Sequence, residues 1–181
     1  MQLDGQRTIE ARPIEVWEAL IDPNVLQKCI PGCKSMEGDP ESGFEAVLVQ
    51  KVGPVNAKFN CRIELAEIVP GKSCTITGQG KGGPAGFAKG VAKIALEEFE
   101  GGTRLAYSVE ARVGGKIAQL GSRIIDGFAK KLANAFFQNF QESFEIQQPG
   151  QLEDHAGGNS DEDGDSAEGG KKKTWFKKMW G

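Results

Sequence analysis

The feature that most constrains this chain is an apolar stripe near its C-terminal end: Ile117, Leu120, Ile124, Phe128, Leu132, Phe136, Phe140 and Phe144. Steps of three and four keep one face of an α-helix continuously apolar. Lys116, Gln119, Arg123, Asp126, Lys130, Asn134, Gln138, Gln141 and Glu145 fill much of the remaining surface. Gly114-Gly115 opens the segment, no proline interrupts it, and Pro149-Gly150 closes it, so the spacing predicts a helix from Gly115 to Ile146. At ~1.5 Å per residue such a rod is roughly 48 Å long. A stripe of that length must be covered, and what precedes it reads as strands. One sheet wrapped around one helix is the simplest solution, which makes the fold class α+β.

Residues 1–9 read as a first strand. Pro13 then starts a short helix with Ile14, Val16, Trp17, Leu20 and Ile21 as its apolar positions, and Asp22-Pro23 stops it. Leu26 to Cys33 reads as a second short helix or turn. Beyond it the period becomes two: Val55, Ala57, Phe59, Cys61, Ile63 and Leu65 alternate with polar residues, as in a half-buried strand. A two-residue turn at Pro70-Gly71 pairs Leu65 with Ile76 and Ile63 with Gly78. A second turn at Gly101-Gly102 would place Leu96 opposite Tyr107, Ile94 opposite Val109, Ala92 opposite Ala111 and Gly90 opposite Val113. Slipping either register by one residue would break the matched faces. The result is an antiparallel meander whose apolar face meets the long helix.

Moving away from its turn, the second hairpin's inward residues shrink from Leu96 and Ile94 to Ala92, Gly90 and Ala88. Against Phe128, Leu132 and Phe136, residues this small either draw the helix close or leave a cavity. A strongly bent sheet gripping a long helix rarely closes at its open end, which favours the cavity, and glycine permits the bend. Tyr107 faces inward, where its hydroxyl can bond a ligand carbonyl or a core partner.

The chain has 181 residues with a net charge of −3, unevenly divided. Residues 147–170 hold seven acids and no Lys or Arg, residues 171–181 hold five Lys and no acid, and the first 146 residues hold 17 basic and 18 acidic groups. This divides the chain into a nearly neutral domain over 1–146, an acidic linker over 147–170 expected to be disordered, and a short tail over 171–181. The tail combines Lys171, Lys172, Lys173, Lys177 and Lys178 with Trp175, Phe176, Met179 and Trp180. Basic charge beside Trp and Phe is the composition of an interfacial membrane anchor on an anionic surface. The competing uses are a helix docking on a protein partner and a nucleic-acid patch. The neutral body and acidic linker offer nucleic acid no extended positive surface.

Other functions are poorly served. Met1-Gln-Leu-Asp-Gly runs straight into a strand pattern, so no signal peptide is expected, and no apolar run is long enough to span a bilayer. Cys29 and Cys33 are separated by three residues, Ile30-Pro31-Gly32, which is neither a zinc nor a redox CxxC, and Cys61 and Cys74 continue apolar strand faces. All four are expected to be buried, reduced thiols, as in a cytoplasmic protein. The only His is His155, outside the domain, so no metal site is expected. Gly78-Gln-Gly-Lys-Gly-Gly83 formally spells GxGxxG, but strand patterning resumes after it, where a dinucleotide site needs a helix. No Ser-His-Asp set and no carboxylate pair on an apolar face equips the domain for catalysis.

Pro13-Ile-Glu-Val-Trp17, Cys29-Ile-Pro-Gly-Cys33, Gly86-Phe-Ala-Lys-Gly90 and Gly102-Thr-Arg-Leu-Ala-Tyr107 resemble blocks of the carbon monoxide dehydrogenase G-subunit family. So does Val113-Gly-Gly-Lys-Ile-Ala-Gln-Leu-Gly-Ser-Arg-Ile-Ile-Asp-Gly127, the most specific stretch. The resemblance covers about residues 1–146. It implies a START-like helix-grip fold: a curved antiparallel sheet of about seven strands, two short helices after the first, and an apolar tunnel under the C-terminal helix. In this chain the tunnel would be lined by Trp17, Phe59, Ala88, Ala92, Tyr107, Phe128, Leu132 and Phe136. It further implies an accessory, non-catalytic association with molybdenum carbon monoxide dehydrogenase. With the tail, this gives a peripheral protein on the cytoplasmic face of the inner membrane. It would hold a lipid or isoprenoid quinone and no covalent cofactor. A stand-alone carrier of apolar ligands, and a START-like cyclase or hydrolase, are the competing expectations.

Overall fold

The computed structural model describes residues 1–145. The acidic stretch 147–170 and the basic-aromatic segment 171–181 lie outside the described residues.

Strand β1 (Gln2–Ile9) leads into two short helices, α1 (Pro13–Ile21) and α2 (Pro23–Cys29). Six strands follow: β2 (Cys33–Asp39), β3 (Gly43–Val52), β4 (Val55–Val69), β5 (Ser73–Lys81), β6 (Phe87–Phe99) and β7 (Gly102–Gly114). A 3₁₀ turn over Gly115–Leu120 precedes the long helix α3 (Ser122–Glu145). The seven strands form one antiparallel sheet in the order β1-β7-β6-β5-β4-β3-β2, open at β1 and β2, and with α3 they make a helix-grip fold.

The short helices follow from their caps. Pro13 occupies the first turn of α1, and the Glu15 carboxylate accepts the Arg12 backbone N–H at 2.9 Å. Asp22 ends α1 and caps the next helix, accepting the Asn24 N–H at 2.8 Å, so α2 begins at Pro23 rather than near Leu26. Proline, which stops one helix, opens the other.

Two registers differ instructively from the sequence expectation. Leu65 does pair with Ile76 and Ile63 with Gly78, but through a three-residue connection between Val69 and Ser73. A bulge between Ala66 and Val69, with Glu67 at φ 50°, absorbs the extra residue. In the second hairpin the turn is Glu100-Gly101, with φ of 50° and 80°. Leu96 therefore pairs with Leu105, Ile94 with Tyr107, Ala92 with Val109, Gly90 with Ala111 and Ala88 with Val113. The shift is two residues, a full strand period, so every side chain keeps its face and only the partners change.

The long helix is also shorter than the stripe implied. Gly121 adopts φ 84° and ψ 156°, which ends the 3₁₀ turn and resets the helical phase. Ile117 is buried from that turn, whereas Ile124 is 43 % exposed and Ile125 takes the inward place. At ~1.5 Å per residue the regular helix spans roughly 36 Å rather than 48 Å.

The core divides along α3. Toward its C-terminal end, Phe140 is fully buried among Ile9, Val16, Trp17, Leu20, Leu96 and Leu105, with Phe136, Phe137 and Phe144 packed around it. Toward its N-terminal end, Phe128 packs with Val52, Ala57, Phe59, Ala85 and Ile117. Asn139 fastens the helix to α2, donating to the Cys29 carbonyl at 3.0 Å.

Candidate functional site

Between the two packed ends, the sheet offers α3 very little. Gly78, Gly90 and Ala111 lie side by side across β5, β6 and β7, and Gly80, Ala88 and Val113 form the adjacent row. The helix answers with Ala129 and Ala133 around Leu132. Small residues on both sides leave space in place of contact. One cavity of about 400 Å³ is lined by Ala92, Ile76, Val109, Tyr107, Ala129, Ala133, Phe136 and Phe137, among other apolar residues. A second, of about 320 Å³, is lined by Phe59, Gly78, Gly80, Ala88, Gly90, Ala111, Ile125 and Phe128. Ile63 and Leu132 border both, so the two lie end to end with those side chains between them.

Among the described residues, Tyr107 is the only side chain on the larger cavity's wall with an O–H or N–H group. Gln50 touches the smaller one, whereas Gln79 and Lys89 border it from strand positions that alternate with the inward row. Among the described residues neither lining includes a carboxylate or a histidine.

The edge of the larger cavity carries a polar feature that the sequence reading missed. Along β1, Leu3, Gly5, Arg7 and Ile9 share the less exposed side, Ile9 buried and the other three half-buried, so a guanidinium stands in an otherwise apolar or empty row. Arg7 crosses to α3, donating to Asn134 Oδ1 at 2.6 Å, and lies over the Phe137 ring at 5.4 Å. The same ring stacks on Tyr107 with centroids 5.0 Å apart. Gly5 is paired with Tyr107, and any side chain there would collide with the phenol. The alternation of β1 contained this signal, since Arg7 occupies an inward position.

Of the residues expected to line a tunnel, Ala92, Tyr107, Leu132 and Phe136 lie on the larger cavity, and Phe59, Ala88, Phe128 and Leu132 on the smaller. Trp17 lines neither and needs correction. It is 5 % exposed in the packed cluster around Phe140, because α1 closes the filled end of the grip. Lys171, Lys172, Lys173, Trp175, Phe176, Lys177, Lys178, Met179 and Trp180 lie outside the described residues.

The four cysteines are free thiols. Cys29 and Cys74 are buried and Cys33 and Cys61 half-buried, and burial pushes all four thiols above their ordinary pKa. They are protonated at neutral pH and poor nucleophiles. Among the described residues no group of three His, Cys, Asp or Glu could hold a metal ion. The glycines of Gly78–Gly83 belong to β5 and the turn after it, and no α-helix starts there.

A larger concavity, about 730 Å³, is elsewhere, on the sheet's outer side among Arg62, Glu64, Thr77, Gln79, Lys89, Glu110 and Arg112. Its charges are mixed. It shares Gly78, Gly90 and Ala111 with the inner cavity, so at that row the wall is little more than backbone.

Residues 5–145 match the family described as the G subunit of carbon monoxide dehydrogenase (CoxG). No curated protein matches the chain. Among solved structures, a conserved protein from Geobacillus kaustophilus is 35% identical with a TM-score of 0.75, over 81% of this chain and 96% of that one. A protein from Rhizobium leguminosarum shares 14% identity and a TM-score of 0.64, over 81% and 95% of the two chains. One from Thermus thermophilus shares 12% and 0.62, over 82% and 100%. At the last two identities the likeness is one of fold alone.

Proposed function

Because the chain belongs to the carbon monoxide dehydrogenase G-subunit (CoxG) family, we propose that it is an accessory protein of that dehydrogenase. In this reading it recruits the enzyme to the cytoplasmic face of the membrane and accepts an apolar ligand, a lipid or isoprenoid quinone, under α3. The observation that carries the ligand is the pair of apolar cavities, about 400 and 320 Å³, within the size range of small-molecule sites. A quinone dissolved in the bilayer is an acceptor that a soluble dehydrogenase cannot reach unaided. A carrier with a dry cavity and a membrane-seeking tail would bring the two together. The chain itself does no chemistry in this scheme, and burial holds its thiols neutral.

Recruitment rests on composition, with five lysines beside Trp175, Phe176 and Trp180. Among the described residues no helix is long and apolar enough to cross a membrane, so attachment through this part of the chain would be peripheral. A stand-alone lipid carrier would use the same cavities. Purification of the native protein separates the two readings. The expected result is dehydrogenase in the pull-down and a quinone or lipid in mass spectra of the organic extract. Lipid without dehydrogenase would favour the carrier, and neither would remove the proposal.

A further inference from the structure

Granting the ligand-accepting reading above, we infer that the seam between β1 and the middle of α3 is a head-group site. There Arg7 holds an oxygen acceptor, carbonyl or carboxylate, of a ligand whose apolar part fills the larger cavity.

The first ground is placement. Arg7 is half-buried on the cavity side of β1, where an apolar residue would meet the same neighbours at no cost in hydrogen bonds. A guanidinium has five N–H donors. Arg7 uses some of them on the Gln6 carbonyl at 2.9 Å and on Asn134 at 2.6 Å. No carboxylate pairs with it among the described residues, where every ion pair belongs to Arg12, Arg62 or Arg104. The cation is thus held by a neutral amide and an aromatic face. Its position is fixed while its charge remains uncompensated.

The second ground is continuity with the cavity. Arg7 rests on Phe137, Phe137 stacks on Tyr107, and both rings are on the cavity wall with Leu3 and Ala133. Gly5 leaves the phenol room at the same edge. A hydrocarbon chain inside would find no polar partner, and a head at the seam would find a charged donor with a phenol beside it. An oxygen acceptor there forms a charge-assisted hydrogen bond, which is shorter and stronger than a neutral one. A plain hydrocarbon gains nothing from Arg7.

Titration of the full chain with decyl-benzoquinone, decanoate and decane tests this. Arg7→Leu should weaken at least one head-bearing probe by tenfold or more and leave decane unchanged. Loss confined to decanoate would identify an anionic head, and loss confined to the quinone a neutral carbonyl. Should Arg7→Leu fail to fold, Arg7→Lys carries the same comparison, since it keeps the charge and loses the fork. Equal loss for all three probes would make Arg7 a packing residue and overturn the inference, as would no loss for either head-bearing probe. If decane and both other probes fail to bind the unaltered protein, the cavity reading falls, and this inference with it.

Discussion

Gly78 and Gly90 pair across β5 and β6, yet a side chain would fare differently at the two. A Cβ on Gly78 would meet nothing within 4 Å, whereas one on Gly90 would press to 2.6 Å from the Glu110 carbonyl oxygen. Gly78→Leu should therefore project into the smaller cavity, abolish binding of a ligand that uses it, and leave the thermal midpoint nearly unchanged. Gly90→Ala should instead cost about 1–3 kcal/mol, because backbone on a neighbouring strand has to move. Denaturant unfolding and ligand titration of the pair check this: marked destabilisation by Gly78→Leu would mean the space is not there. Much of this was legible beforehand, because the run Ala92, Gly90, Ala88 loses volume on the face opposite Phe128 and Leu132. Trp17 was misplaced because an apolar residue on an amphipathic helix says that it is buried, not which end of the grip it fills. Arg7 was visible in the alternation of β1 and unread, since that strand is an edge whose pairing with β7 is non-local.

At the scale of elements, periodicity located β1 and the strands from β4 to β7 but left β2 and β3 unplaced, and turn chemistry misled where two glycines competed. Gly101-Gly102 is a natural pair for positive φ, but the turn uses Glu100-Gly101, and Glu100 takes φ 50°. Apolar faces alone could not choose, because a two-residue shift preserves them. The same blindness hid the break at Gly121. A stripe counted straight through from Ile117 to Ile124 looks helical, but Gly121 at φ 84° and ψ 156° adopts a conformation that is nearly restricted to glycine. A Cβ there meets nothing within 4 Å, so the effect of Gly121→Ala isolates backbone strain from crowding. The substitution should lower stability by about 1–3 kcal/mol, or let the 3₁₀ turn run on into α3 and withdraw Ile117 from its place beside Phe59. Thermal unfolding measures the first outcome, and a rise in helical circular dichroism with loss of stability the second. A variant as stable as the parent, with unchanged helicity, would show that the break is not held by this residue.

For the whole molecule, the charges decide what a membrane can grip. The first 146 residues carry 17 basic and 18 acidic groups, so the domain offers an anionic surface no net attraction. In the proposed reading attachment comes from Lys171 to Trp180, where on the order of 1 kcal/mol per lysine near an anionic leaflet would add to the interfacial preference of the tryptophans. Deleting Lys171 to Gly181 removes none of the strands, helices or cavity walls between Met1 and Glu145, so the midpoint and ligand binding should survive. Cosedimentation with anionic vesicles should vanish, and with it the dehydrogenase's presence in the membrane fraction. Trp175→Ala with Trp180→Ala should do nearly as much, while a purely electrostatic attachment would lose little by it and would fade instead at high salt, where the Debye length falls toward ~3 Å. Pull-down in detergent-free solution without membranes separates anchoring from docking. If the truncated protein still captures the dehydrogenase, the segment acts on the membrane. If the complex is lost there, it binds the enzyme itself, and the membrane reading is wrong.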